Sequence, residues 1–188
     1  MIGYSAVILA GGKSSRMGRN KAELEIGGVT FTEFLADKLW NMGIDDIMIS
    51  GYERMVKNTR NVKDVYPGQG PLSGIHSCLC SSLNRKVFVL AGDAPLIPVH
   101  FLIELSKAHK SAITVASYNE RLQPLAGLYN KEVGEVAEKL ICKGKLNVSA
   151  LIESVSFDVL PFYDNELLLR GCNTPEEYKE MLQLTGIG

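Results

Sequence analysis

The sequence has four cysteines and none of them forms a C-x-x-C pair. Cys78 and Cys80 fall in a stretch with helical spacing, where residues i and i+2 point apart, and Cys142 and Cys172 stand alone. Small buried thiols are therefore expected, in place of a disulfide framework or a thiolate metal site. Histidine is scarce as well. His76, His100 and His109 make neither H-x-x-x-H nor E-x-x-H, which removes the common zinc and di-iron patterns and leaves them as surface or capping residues. Charge of one sign is missing in bulk: the formal net charge is −1, so nothing draws the chain as a whole to nucleic acid or to a membrane, and any anion site must be local. Long apolar runs are missing too. The start, MIGYSAVILAGG, has no basic n-region, and its apolar stretch is too short for a secretory signal or a membrane span, so a cytoplasmic protein is expected. There is no repeat, low-complexity segment or linker. At 188 residues, with 46% hydrophobic and 22% charged side chains, the chain is expected to fold as a single domain over 1–188. A chain of that size buries about 70% of its unfolded surface.

Two nucleotide loops are also missing. Gly12 and Gly18 have five residues between them with Arg19 following, which is no G-x-x-x-x-G-K-[ST], and no G-x-G-x-x-G follows the first apolar run. A P-loop NTPase and a dinucleotide dehydrogenase are both disfavoured.

What the chain does have is Val7 to Lys21, VILAGGKSSRMGRNK. The apolar run Ala6 to Ala10 has strand length and stops at Gly11-Gly12, after which Lys13, Arg16, Arg19 and Lys21 place four cations within nine residues. Adjacent glycines let backbone lie close against a ligand with N–H groups aimed at an anion, and the cations supply charge suited to a polyphosphate. An ordinary strand-to-helix turn with solvated lysines would have the same spacing.

Downstream, Thr30-x-x-Glu33 is a capping box that opens a helix carrying Phe31, Phe34, Leu35, Leu39 and Met42 on one face, with Gly43 ending it. Ile47–Ile49, Asn61–Val65, Val87–Leu90, Ala112–Ala116 and Pro124–Tyr129 read as strands, with Arg121–Pro124 as the turn before the last of these. Phe157–Leu160 and Glu166–Arg170 read as weaker strands near the far edge. Pro98–Lys110 and Lys131–Cys142 carry helical apolar stripes, and Thr174-Pro175-Glu176-Glu177 begins a last helix with cap, N1 proline and capping-box glutamate. Strands alternating with helices predict an α/β fold of three layers, Rossmann-like, around a mostly parallel central sheet. In such a sheet the loops after Ala10, Ile49, Val65 and Leu90 converge on one crevice at the carboxyl ends of the strands.

Three polar residues fall near that crevice. Asp93, in Leu90-Ala91-Gly92-Asp93-Ala94-Pro95, follows the most apolar strand and suits a hard divalent ion such as Mg²⁺, which takes one or two carboxylates and fills its shell with phosphate and water. Asp64, read as ending the Asn61–Val65 strand, could accept from guanine N1–H and N2–H₂, or simply sit on the surface. Leu9, Ala10 and Gly11 would offer backbone groups to a purine edge. In Gly70-Pro71-Leu72-Ser73-Gly74-Ile75, Ser73 or the free N–H groups of a helix start could bind an anion.

The Val7–Lys21 stretch resembles the LAGGxxxRMGxxK signature of nucleotidyltransferases. Taken with GPLSGI, with Gly92-Asp93-Ala94-Pro95 and with Asn173-Thr174-Pro175-Glu176-Glu177, the chain resembles the molybdenum cofactor guanylyltransferase family over nearly its whole length. The resemblance implies transfer of GMP from Mg²⁺-GTP to the terminal phosphate of molybdopterin or molybdenum cofactor, with pyrophosphate released. It implies Mg²⁺ on Asp93, Lys21 near the α-phosphate, Arg16 on the terminal phosphates, and Leu9, Ala10, Gly11, Gly12, Ser50 and Asp64 around the nucleotide. Guanine-using members tend to read LAGG where cytosine-using relatives read LAAG, and here Gly12 completes LAGG. Two positions depart from the family pattern. Ser50 stands where Asn is frequent, which implies a weaker or water-mediated contact. Gly171 stands where many members carry an Asn, leaving Asn173 as the residue that would help hold metal or acceptor phosphate. A cytidylyltransferase for the same pterin, a guanylyltransferase for a corrinoid phosphate and a nucleotide-binding regulatory protein remain alternatives. A cofactor carrier or target molybdoenzyme is the expected protein partner.

Overall fold

A computed structural model describes residues 3–11 and 24–186 of the 188-residue chain. Along it run β1 (Tyr4–Leu9), a hairpin of β2 (Glu25–Ile26) and β3 (Val29–Thr30), α1 (Phe31–Asn41), β4 (Asp46–Ser50), β5 (Arg60–Val62), α2 (Pro71–Ser81) and β6 (Lys86–Ala91). Then come α3 (Val99–Ala108), β7 (Ile113–Tyr118), β8 (Arg121–Asn130), α4 (Val133–Cys142), α5 (Val148–Glu153), β9 (Phe157–Pro161), α6 (Leu167–Arg170) and α7 (Pro175–Leu184). Seven strands form one sheet in the order β5-β4-β1-β6-β8-β7-β9, and β8 alone among them runs antiparallel to its neighbours. The expected mostly parallel α/β sheet is what the chain forms.

The layers follow from the period of two along a strand. Ala6 and Ile8 of β1 and Phe88 and Leu90 of β6 pack with α1 and α3 on one face, while Val7, Val87 and Val89 pack with α2, α4 and α5 on the other. Strands covered on both faces can be apolar throughout, which is why β1 and β6 read as continuous hydrophobic runs. Both capping boxes form as expected, at Thr30/Glu33 and at Thr174/Glu177.

Several expectations need correction. The Glu166–Arg170 stretch is helical, because Asn165 Oδ1 accepts from Leu167 N–H at 2.9 Å and starts a turn that the apolar run Leu167–Leu169 continues. Arg121–Pro124 belongs to β8; the turn lies at Asn119 and Glu120, which take φ values of +45° and +63°. Pro124 is tolerated inside β8 because the β7–β8 register slips between Val115 and Ala116, so its missing N–H breaks no ladder bond to β7. The strand expected over Asn61–Val65 is β5, Arg60–Val62, and stops short of Asp64, since Val65 N–H turns to Ser77 Oγ at 2.8 Å. His76 is buried, where a surface or capping residue was expected; His109 stands at the C-cap of α3, as a capping residue, and is half-buried, bridging Thr114 (2.9 Å) and Asn130 (3.0 Å). Cys78 and Cys172 are buried thiols, but Cys80 and Cys142 are exposed. Burial pushes the Cys78 thiol up to about 12, which leaves it inert as a nucleophile.

At the amino ends of the strands a polar cluster ties the sheet together. Asp46, buried at the start of β4, accepts from Ser5 Oγ of β1, from Leu83 N–H (2.8 Å) and from Arg60 of β5 (2.9 Å). Removing a buried acceptor strands its donors. Asp46→Ala is therefore expected to cost about 3 kcal/mol of stability at neutral pH, measured by urea unfolding.

Candidate active site

At the other end of the sheet the strands β1, β4 and β6 are held together one residue past their ladders. Ala10 N–H donates to Ser50 O at 2.9 Å, and Gly92 N–H donates to Leu9 O at 2.9 Å. The chains leaving β1 and β4 then pass so close that a Cβ on Gly51 would overlap Gly11 Cα and lie 2.6 Å from Gly11 N. Gly51 is therefore glycine for reasons of space, and a Cβ on Gly11 would press to 3.1 Å from Gly51 Cα.

Onto this platform the fold brings the residues that the sequence singled out. Asp93 follows β6, half-buried, in a loop whose end is anchored by Lys38 of α1: its ammonium donates to Pro95 O (2.6 Å) and Ile97 O (2.8 Å). Burial pushes that ammonium down to about 8. Asp93 is not the cap of α3, whose N-cap is Pro98, five residues on. Asp64, half-buried beyond β5, accepts from Ser50 Oγ at 2.8 Å, so the two residues expected at the base lie side by side. Leu9 reaches the same corner, where a Cβ on Gly74 of α2 would meet its Cδ2 at 3.0 Å. Ala10 N–H and Leu9 C=O are engaged by neighbouring strands, so further backbone contacts from this stretch fall to Ala10 C=O and to Gly11. Ser73 is fully buried and its hydroxyl donates to Tyr66 O at 2.6 Å, so it holds a turn and does not present a hydroxyl to an anion. Gly12, Lys13, Arg16, Arg19 and Lys21 lie outside the described residues.

The chain's far end closes on the same place. Gly171 takes φ +67° and ψ −170°, a conformation essentially restricted to glycine, and a Cβ there would overlap the carbonyl of Asp93. The loop bearing Asn173 thus crosses directly over the loop bearing Asp93.

Residues 6–157 match the family model of the MobA-like NTP transferase domain. The chain belongs to that family. It is 33% identical over 194 residues to a "probable molybdenum cofactor guanylyltransferase" of Carboxydothermus hydrogenoformans, with 98% of each chain covered. It is 35% identical over 197 residues to a protein of the same name from Clostridium perfringens, covering 97% of this chain and 98% of that one. The crystal structure of molybdopterin-guanine dinucleotide biosynthesis protein A from Archaeoglobus fulgidus superposes with a TM-score of 0.80, covering 97% of this chain and 98% of the other; at 20% identity this likeness concerns the fold. The chain is accordingly a MobA-like nucleotidyltransferase. None of its described helices is long and apolar enough to cross a membrane.

Within this MobA-like protein two charged residues that the sequence did not single out support the site. Lys38 is one, and its place in the apolar-striped helix α1 gives no sign that its ammonium reaches the Asp93 loop. Arg170 is the other. It donates to Glu177 (2.7 Å), to Glu166 (3.1 Å) and to Gly171 O (3.3 Å), while Glu177 accepts from Asn173 N–H at 2.6 Å. One arginine therefore braces both ends of the loop that lies over Asp93. A capping-box reading explains Glu177 but not this second use.

The Arg170 guanidinium, helped by the N–H groups of Asn173 and Thr174, holds the Glu177 carboxyl below the usual carboxylate range against the opposing effect of burial. A carboxyl lowered in the folded state contributes stability that is fully present above its ordinary value of 4.5 and is lost as pH falls through the folded value. Glu177→Gln is expected to flatten the acid limb of the stability profile below pH 4.5, read by urea unfolding at a series of pH values. Gly171→Ala is expected to lose about 2–4 kcal/mol in the same assay, from a forbidden backbone conformation plus the clash with Asp93.

Proposed function

We propose that this chain, as one nucleotidyltransferase domain spanning 1–188, transfers GMP from Mg²⁺-GTP to the terminal phosphate of molybdopterin or molybdenum cofactor. The observation that carries the reading is the meeting of the β1, β4 and β6 ends with the Asn173 loop around Asp93, next to the Ser50–Asp64 pair. In the reaction an oxygen of the acceptor phosphate attacks the α-phosphorus, a new P–O bond forms, and the bond to the β-phosphate oxygen breaks to release pyrophosphate. Little covalent help from protein is needed; alignment and neutralisation of charge on the leaving group do most of the work. Lys21 near the α-phosphate and Arg16 on the terminal phosphates suit those tasks, a point charge for one and a fork for the other. Leu9, Ala10, Gly11, Gly12, Ser50 and Asp64 surround the nucleoside. The Asp64 carboxylate accepts the paired donors N1–H and N2–H₂ of guanine, a pattern that cytosine does not present.

The donor set fits a hard ion. Among the described residues no three His, Cys, Asp or Glu side chains gather as a protein-only metal cage would require, whereas Mg²⁺ is content with one carboxylate and substrate oxygens. Asp93 is that carboxylate, with Asn173 next to it as a contact for the ion or the acceptor phosphate. Bound there, Mg²⁺ neutralises phosphate charge. The acceptor, a reactive pterin, calls for delivery by a cofactor carrier or target molybdoenzyme, and the work is placed in the cytoplasm.

Calorimetric titration with GTP and Mg²⁺ is expected to give saturable binding that CTP competes for weakly, and no GTP binding would overturn the reading. Pyrophosphate release with molybdopterin present is expected to fall at least ~100-fold in Lys21→Ala and in Asp93→Asn.

A further inference from the structure

The Ser50–Asp64 contact offers more than proximity. Asp64 lies past the end of β5, so no sheet ladder fixes it. The backbone that follows it is instead moored to α2, through Val65 N–H on Ser77 Oγ (2.8 Å) and Ser73 Oγ on Tyr66 O (2.6 Å). The carboxylate still turns about χ2 unless something holds it, since that torsion is broad in aspartate. Ser50 Oγ holds it. The donor is itself rigid: Ser50 is 4% exposed at the end of a strand that is buried along its whole length. The room for its hydroxyl comes from α2, where a Cβ on Gly74 would lie 2.5 Å from Ser50 Oγ and 3.2 Å from Ser50 Cβ. Glycine in a helix interior is less stable than alanine, so this position gives up helix stability to keep that hydroxyl in place.

We infer that Ser50, housed by Gly74, is a specificity-determining positioning residue: its hydroxyl sets the Asp64 carboxylate at the angle that receives both donors of the guanine edge at once. The inference rests on the proposed use of GTP. A carboxylate free to turn would still find one donor, N1–H, but would hold the second, N2–H₂, for part of the time. Inosine triphosphate carries N1–H and lacks the exocyclic amine, so the ratio of GTP to ITP affinity measures how well the second donor is met. Ser50 touches neither phosphate nor reacting atoms in this account. Its loss should alter base selection.

The test is calorimetric titration of wild type, Ser50→Ala, Ser50→Thr, Gly74→Ala and the Ser50→Ala/Gly74→Ala pair with Mg²⁺-GTP and Mg²⁺-ITP. Ser50→Ala is expected to weaken GTP about tenfold while ITP changes by less than about threefold, shrinking the GTP/ITP ratio. Ser50→Thr keeps the hydroxyl and should retain the ratio. Gly74→Ala should shrink it as Ser50→Ala does, and the double variant should lose little more than either single one, because both act through one hydrogen bond. Equal weakening of GTP and ITP, or a wild-type ratio in Ser50→Ala, would overturn the inference while leaving the GTP reading intact. A wild-type protein that binds no GTP would instead sink the reading beneath it.

Discussion

The arrangement depends on two backbone hydrogen bonds that continue the sheet past its last side-chain pair, Ala10 N–H to Ser50 O and Gly92 N–H to Leu9 O. Each fixes the point at which a strand becomes a loop, and together they bring three loops to one spot without using any polar side chain. That economy has a geometric condition. Backbones this close leave no volume for a Cβ at Gly51 and would bring one at Gly92 to 3.0 Å from Ala10 Cα. Ser50 and Asp64 are then left to bond one another.

The two ends of the sheet are built on different principles. The amino end is locked by side chains: Ser5, Asp46 and Arg60 form a hydrogen-bonded group that also takes in the Leu83 N–H. The carboxyl end is locked by main chain and carries its charged groups on loops that are braced from a distance, by Lys38 through the Pro95 and Ile97 carbonyls and by Arg170 through Glu177 and Gly171. A rigid base and braced loops suit phosphoryl-type chemistry, where alignment matters more than covalent assistance.

Much of the fold was legible in the sequence because local signals agreed with the global arrangement. The capping boxes at Thr30 and Thr174 are self-contained, and the apolar runs of β1 and β6 could be little else than two-sided buried strands. The signals failed where tertiary context decided. Leu167–Arg170 is short and apolar enough to serve as strand or helix, and one side chain, Asn165, tipped it. Pro124 read as a turn because its tolerance inside β8 depends on a register slip with a distant strand, which no local window contains. Of the candidate site, the positions on loops were legible as motifs, but the partnership of Ser50 with Asp64 spans strands β4 and β5, and the roles of Lys38 and Arg170 are contacts between charged side chains and main-chain carbonyls or loops far along the chain. Spacing carries no record of such contacts.

Helix α7 reaches back to the hairpin near the start of the chain, with Tyr178 donating its hydroxyl to Glu25 O across a separation of 153 residues, and Met181 and Cys172 share a buried cluster with Leu24, Ile26 and Phe31. The hairpin is two residues per strand, too short to be stable without that cover. The cover that α7 gives the hairpin therefore joins segments far apart along the chain, and removing α7 would lay bare Leu24, Ile26 and Phe31 while leaving the seven-stranded sheet its own ladders.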